Sequence, residues 1–111
     1  MREMYTTGLD KNPANFVPLS PISLLRRTAA VHPDHLAVVS EDVRRTWRET
    51  AARCRRLASA LSKAGIEPGD TVSILAPNVP EMLEAHFGVM MSGAVLNALN
   101  VRLDAAGIAF I

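Results

Sequence analysis

One cysteine, Cys54, is all the chain has, which excludes an internal disulfide and fits a reducing compartment. Aromatic side chains make up only 5% of its 111 residues. Of these, only Trp47 falls within the arginine run of Arg44, Arg45, Arg48, Arg53, Arg55 and Arg56, and its helical position faces the core. A nucleic-acid track interleaves basic and aromatic groups and carries surplus positive charge. Here 12 basic residues meet 11 acidic ones, so the run reads as a solvated amphipathic face and no nucleic-acid partner is expected. The six glycines are scattered, and no two lie close enough to build a phosphate-cradling loop. Neither a Gly-Lys-Ser/Thr loop nor a Gly-x-Gly-x-x-Gly turn occurs. Long hydrophobic runs are missing too. The longest nearly uncharged stretch, residues 87–99, is broken by Gly88, Gly93 and Asn97 and falls short of the ~18 residues that a membrane span needs. Residues 1–16 hold Arg2, Glu3, Asp10 and Lys11 with no apolar core, so no secretory signal is expected. The expected compartment is the cytoplasm.

What is present is apolar substance, 49% of the chain, organised around residues 65–100. Residues 71–76 (TVSILA) form a short apolar run between turn residues, the pattern of a strand buried on both faces. Pro77-Asn78-Val79-Pro80 breaks it. Asn78 or Val79 fits a helix cap and Pro80 the first helical turn, where its missing N–H costs nothing. Val79, Met82, Leu83, His86, Phe87, Met90 and Met91 then recur at helical spacing and form the expected buried stripe. Glu81 and Glu84 fall on the other side, near the positive end of the helix dipole. Gly93 stops the helix and residues 94–99 read as a second buried strand. Two such strands joined by a helix belong side by side in a parallel sheet.

Before this unit lies an irregular arm, residues 1–19, with Gly8, Asn12, Pro13, Asn15 and Pro18. Ser20-Pro21 starts a helix whose buried side is Ile22, Leu25, Ala29 and Leu24, and His32-Pro33-Asp34 ends it. Residues 36–40 and 44–46 form a hairpin around a turn at 41–43. Thr46-Trp47-Arg48-Glu49 fits a capping box for a helix reaching about Ala64, and Gly65 suits the left-handed position past its end. Glu67-Pro68-Gly69-Asp70 is a tight turn, and Asp104 caps a short last helix. A sheet buried on both faces needs helices on both, and one crossover helix covers one face. The chain is therefore expected to be a piece of something larger.

Few residues offer chemistry. His32, Asp34 and His35 crowd one turn but lack further ligands, so they read as a surface helix stop rather than a metal site. His86, on the expected buried stripe, has no nucleophile or carboxylate partner and reads as a hydrogen-bonded core histidine. Cys54 sits on an apolar helical face as a small core residue, and Met82, Met90 and Met91 fill core gaps. No catalytic, cofactor-binding or metal-binding residue is expected.

Six pieces in order carry a resemblance: the helix ending His32-Pro33-Asp34, the strand LAVV at 36–39, TWRE at 46–49, GIEPGDTV at 65–72, APNVPE at 76–81 and GAVLNALNVRL at 93–103. Together they resemble the N-terminal part of the adenylate-forming acyl-CoA synthetases, and the arm GLDKNPANF at 8–16 is similar to their bacterial medium-chain and methylthioalkanoate-type branch. The resemblance implies an α/β class: residues 20–111 as an incomplete part of an AMP-binding domain, with a β-hairpin and a strand–helix–strand unit in a partly parallel sheet. It implies a parent that converts a fatty or medium-chain carboxylic acid, ATP and CoA to acyl-CoA, AMP and pyrophosphate through an acyl-adenylate, with Mg2+. The family's diagnostic phosphate loop, aromatic-Thr-Glu motif, ribose-binding aspartate and C-terminal lysine are not among these residues. This piece is thus expected to be an inactive scaffold that binds no ATP, Mg2+ or CoA by itself. Asn100-Val101-Arg102 sits where some relatives bring main chain near the CoA pantetheine, and reads here as a structural turn. The alternative is a stand-alone interaction module that docks a partner on the apolar surface of an incomplete sheet.

Overall fold

The computed structural model describes residues 7–111; the first six positions of the expected arm lie outside the described residues. Residues 7–19 hold turns but no helix or strand. Local bonds order part of them: the Asn12 and Asn15 side-chain amides both donate to the Asp10 carbonyl, at 3.2 and 3.0 Å.

Helix α1 (Pro21–Val31) starts where Ser20 Oγ accepts the Ser23 N–H and Ser23 Oγ accepts the Ser20 N–H, a reciprocal cap with proline in the first turn. Its Leu25 is fully buried, whereas Leu24 is half exposed. Strands β1 (Leu36–Ser40) and β2 (Val43–Thr46) pair antiparallel, so the turn shortens to Glu41-Asp42, with Glu41 at φ 48°. Helix α2 (Trp47–Lys63) begins at once. Thr46 and Glu49 cap each other, and these hydrogen bonds, the backbone one foremost, hold the Glu49 carboxyl below its ordinary range. Two more of the helix's free donors, Trp47 N–H and Arg48 N–H, reach His35 O and Pro33 O, each at 3.0 Å. The His32–His35 turn thus clamps the start of α2.

Gly65 and Gly69, at φ 90° and 95°, take the left-handed positions that the turn into β3 (Thr71–Leu75) requires. Helix α3 (Pro80–Met91) follows, then β4 (Val95–Leu99), which pairs in parallel with β3 over five residues, Thr71 opposite Val95 through Leu75 opposite Leu99. Helix α4 (Ala105–Phe110) is capped by Asp104, whose carboxylate accepts the Gly107 N–H at 2.8 Å. The class is α/β, with one antiparallel and one parallel strand pair.

Helix α2 separates two apolar clusters. Leu25, Ala51 and Cys54 pack with Trp47, Phe87 and Met91. Ala85, Val89 and Ala94 pack with Leu57, Leu61, Val72, Ile74 and Leu96. Here α3 departs from the expected stripe. Its buried residues are Pro80, Glu84, Ala85, Gly88 and Val89, while Leu83 and His86 are exposed. The reason is close approach. A Cβ on Gly88 would stand 2.7 Å from Leu57 Cδ2 and 3.0 Å from Cys54 O, so α2 and α3 meet where α3 is smallest.

Glu84 is the second correction, since it is no surface residue. Its side chain is 8% exposed and accepts from Arg45 of β2 and from Arg53 of α2, the latter at 2.5 Å. Arg45 and Arg53 therefore leave the solvated arginine face, while Arg44, Arg48, Arg55 and Arg56 remain exposed. The third concerns the strands, neither of which is buried on both faces. In β3, Val72 and Ile74 face the core while Thr71, Ser73 and Leu75 are exposed, and Val95 of β4 is exposed as well. Ala85 and Val89 of α3 cover one side of this sheet.

Gly88→Ala is expected to cost about 1–3 kcal/mol, as overpacking does. Glu84→Ala is expected to cost about 3 kcal/mol, because it leaves the part-buried Arg45 guanidinium with only the solvated Glu81 beside it. Glu81→Ala, whose carboxylate is 56% exposed, should stay within about 1 kcal/mol. Urea unfolding of the intact protein checks the ranking; equal midpoints for the two glutamate variants would refute the buried ion pair.

Candidate functional site

Parallel strands send their carboxyl ends to one side of a sheet, and the loops that leave them there enclose a crevice. In this chain those loops follow β3 and β4. Pro77 and Asn78 on one side and Asn100, Val101 and Arg102 on the other line a cavity of about 520 Å³, joined by Met82 and His86 from α3. Through Asn78, Met82 and His86 the cavity adjoins a groove of about 630 Å³ between α3 and β1.

Local bonds fix each wall. Asn100 Oδ1 accepts the Arg102 N–H at 3.0 Å, and the Leu103 N–H donates to Asn100 O at 3.2 Å. That is an Asx turn, so Asn100-Val101-Arg102 is built as the structural turn its composition implies. After β3, the Val79 N–H donates to Pro77 O at 2.8 Å. His86 Nδ1 lies 2.7 Å from Met82 O. A carbonyl can only accept, so Nδ1 carries the proton and Nε2 is the ring's acceptor when the imidazole is neutral. His86 is hydrogen-bonded, then, but exposed rather than in the core. Among the described residues no carboxylate and no nucleophilic hydroxyl or thiol lines the crevice, so these side chains can hold and orient a group but offer His86 no acid–base partner.

The remaining candidates lie apart from one another. His32 and His35 stack, with ring centroids 5.0 Å apart and planes 10° from parallel, while Asp34 pairs with Arg48 at 3.1 Å. Among the described residues no three of His, Cys, Asp and Glu gather as a metal site would need. Cys54 is fully buried, and desolvation first, the Glu84 charge second, push its thiol from 9.0 to about 11. Of the methionines, Met91 packs in the core while Met82 and Met90 border the groove. The group that sequence reasoning missed is the cluster of Glu84, Arg45 and Arg53, with Glu81 as a further ion-pair partner at 3.5 and 3.7 Å. The Glu84 hydrogen bond raises the Arg53 pKa further, so its guanidinium keeps its charge. One signal for it was available: Ala85 and Gly88, the small residues of α3, share the side that carries both glutamates.

Comparison with known proteins gives a consistent answer. Residues 25–111 match the family described as AMP-binding enzyme. An acetate/butyrate–CoA ligase of Arabidopsis thaliana, named as peroxisomal, is 54% identical over 103 residues, 93% of this chain and 18% of that protein. A 2-methylpropanoate–CoA ligase of Humulus lupulus is 50% identical over the same span and share. Among solved structures, the inhibitor-bound N-terminal domain of FACL13 from Mycobacterium tuberculosis superposes with a TM-score of 0.75 at 38% identity. That match covers 79% of this chain and 23% of that domain. The chain thus spans under a fifth of the length of the curated relatives it matches.

Cys54 supplies a test of the core. Its thiol keeps the proton in the folded state at pH values where the unfolded chain loses it, so folding stability falls as pH rises from about 9 toward 11. At pH 8 iodoacetamide is expected to label Cys54 only as fast as the protein opens. Native labelling at the rate of the urea-unfolded chain would contradict the burial of α2 against α1 and α3.

Proposed function

The chain belongs to the AMP-binding enzyme family, and from that premise we propose that residues 20–111 are scaffold in the N-terminal domain of an acyl-CoA synthetase. The parent joins an aliphatic carboxylate to CoA in two steps. The carboxylate attacks ATP to give an acyl-adenylate and pyrophosphate; the CoA thiol then displaces AMP. What carries this reading is the identity of 54% and 50% over 103 residues to enzymes named as CoA ligases, together with the family match over residues 25–111. The relatives' names, acetate/butyrate and 2-methylpropanoate, favour short aliphatic acids over longer ones as the first substrates to try.

The residues of this chain do not fit ATP, Mg2+ or CoA phosphates by themselves. A phosphate at the start of α3 would need backbone donors there. Pro80 has none, and the Met82 N–H already donates to Val79 O at 3.0 Å. No step of the reaction is therefore assigned to a side chain here. The chain's part is mechanical: β3 and β4 set two loops at the crevice, and Glu84 holds α3 against β2 and α2. The open face of the parallel pair, with Leu75 and Val95 about half exposed, needs the rest of the domain to complete and cover the sheet. The single buried thiol suits a reducing compartment, and we place the protein in the cytoplasm; no helix of the described residues is long and apolar enough to cross a membrane.

The parent polypeptide is expected to catalyse pyrophosphate exchange into ATP that depends on acetate, butyrate or 2-methylpropanoate, and to consume CoA when it is added. The 111-residue chain alone, titrated with millimolar Mg-ATP in a calorimeter, is expected to give no saturable heat. An inactive parent across aliphatic acids overturns the ligase; saturable ATP binding by the short chain overturns the scaffold.

A further inference from the structure

Helix α3 is apolar on two sides, and among the described residues one of them is packed while the other borders an open groove. Ala85, Gly88 and Val89 meet α2 and the sheet. Met82, Leu83 and Met90 look instead into the groove of about 630 Å³ whose other wall includes Val38 and Val39 of β1. Leu83 is 41% and Val39 56% exposed. Not one of the lining residues is Asp, Glu, Lys or Arg. The charges of α3, Glu81 and Glu84, are taken up by Arg45 and Arg53 away from this groove.

We infer that this groove is the seat of an apolar, uncharged segment of the parent's own N-terminal domain, supplied by chain outside these 111 residues. The inference rests on the parent reading given above and adds to it the surface used. Two observations choose this occupant over a separate partner. The matched 79% of the chain accounts for 23% of that N-terminal domain, so most of such a domain's chain lies elsewhere and must share its core. The lining is also unlike that of a reversible docking site, which carries a polar and charged rim around its apolar centre. Ser40, Asn78 and His86 are its only polar side chains. A permanent neighbour from the same domain needs no such rim.

The test uses the full-length parent carrying Leu83→Cys, alkylated natively and in urea, with Cys54→Ala as background. The new thiol is expected to lose most of its reactivity on folding, independently of protein concentration. A second variant, Leu83→Asp, is expected to lower the parent's unfolding midpoint, and outright failure to fold counts the same way. Native labelling as fast as in urea, or an unchanged midpoint for Leu83→Asp, overturns the inference. So does protection that disappears on dilution, which would identify a second copy as the occupant. Acyl-CoA formation by the unsubstituted parent is read separately: a parent that forms none yet protects the new thiol keeps the groove's occupant and loses the ligase.

Discussion

The constraint on which the structure turns is the need to bury Glu84. A carboxylate on the packed side of a helix carries a desolvation cost of several kcal/mol, and it is tolerable only with charged partners in good geometry. Those partners come from far along the chain, Arg45 at 39 residues and Arg53 at 31. One strand of the hairpin, the second turn of α2 and the first turns of α3 must therefore converge before the carboxylate is satisfied. Glu81, one turn earlier, would repel Glu84 without the same arginines, which stand 3.5 and 3.7 Å from it. Two acids and two bases close a neutral cluster. Replacing such a group with hydrophobic side chains is often neutral or stabilising, so its worth lies less in net energy than in register. An apolar helix packed only by shape could rotate; one whose buried acid must reach two arginines cannot.

Gly88 works with that cluster. With no side chain there, Leu57 and the Cys54 carbonyl approach α3 directly, and Cys54 itself is left with no exposed surface. Its desolvated thiol, made harder to ionise by the nearby Glu84, is a consequence of this packing rather than a reactive device. Where Glu84 specifies rotation, Gly88 specifies distance.

The local grammar of the chain was readable because it depends on neighbours in sequence. Ser20, Thr46 and Asp104 cap their helices, Gly65, Gly69 and Gly93 take positive φ, and Pro80 opens α3. The parallel pairing of β3 with β4 followed from strand–helix–strand spacing. The face of α3 followed only in part: Phe87 and Met91 reach the core as their spacing implies, whereas Leu83 and His86 do not. Periodicity ranks faces by hydrophobic bulk, and in a helix apolar nearly all round, bulk does not decide which side comes closest to a partner. Ala85 and Gly88 win that contest on size, carrying Glu84 inward and leaving Leu83 and His86 outside. The crevice was legible only in part. Asn100 announced a turn, but that His86 would meet it across the carboxyl ends of the strands depended on the same rotation of α3.

That rotation also settles what kind of helix α3 is. A surface helix of a finished domain shows one apolar stripe and one charged face. Here the charged residues lie on the packed side, neutralised, and the opposite side is Met82, Leu83, His86 and Met90. Phe87, Val89 and Met91 pack inward, yet Met82, Leu83 and Met90 remain as a second apolar surface with no charged residue among its lining. A helix apolar on two sides is suited to a position between layers of a domain. The two-stranded sheet says the same in another geometry, with Leu75 and Val95 on a face that parallel sheets keep covered. Both surfaces have the character of inner walls of a larger domain, which accords with the match of residues 25–111 to the AMP-binding enzyme family.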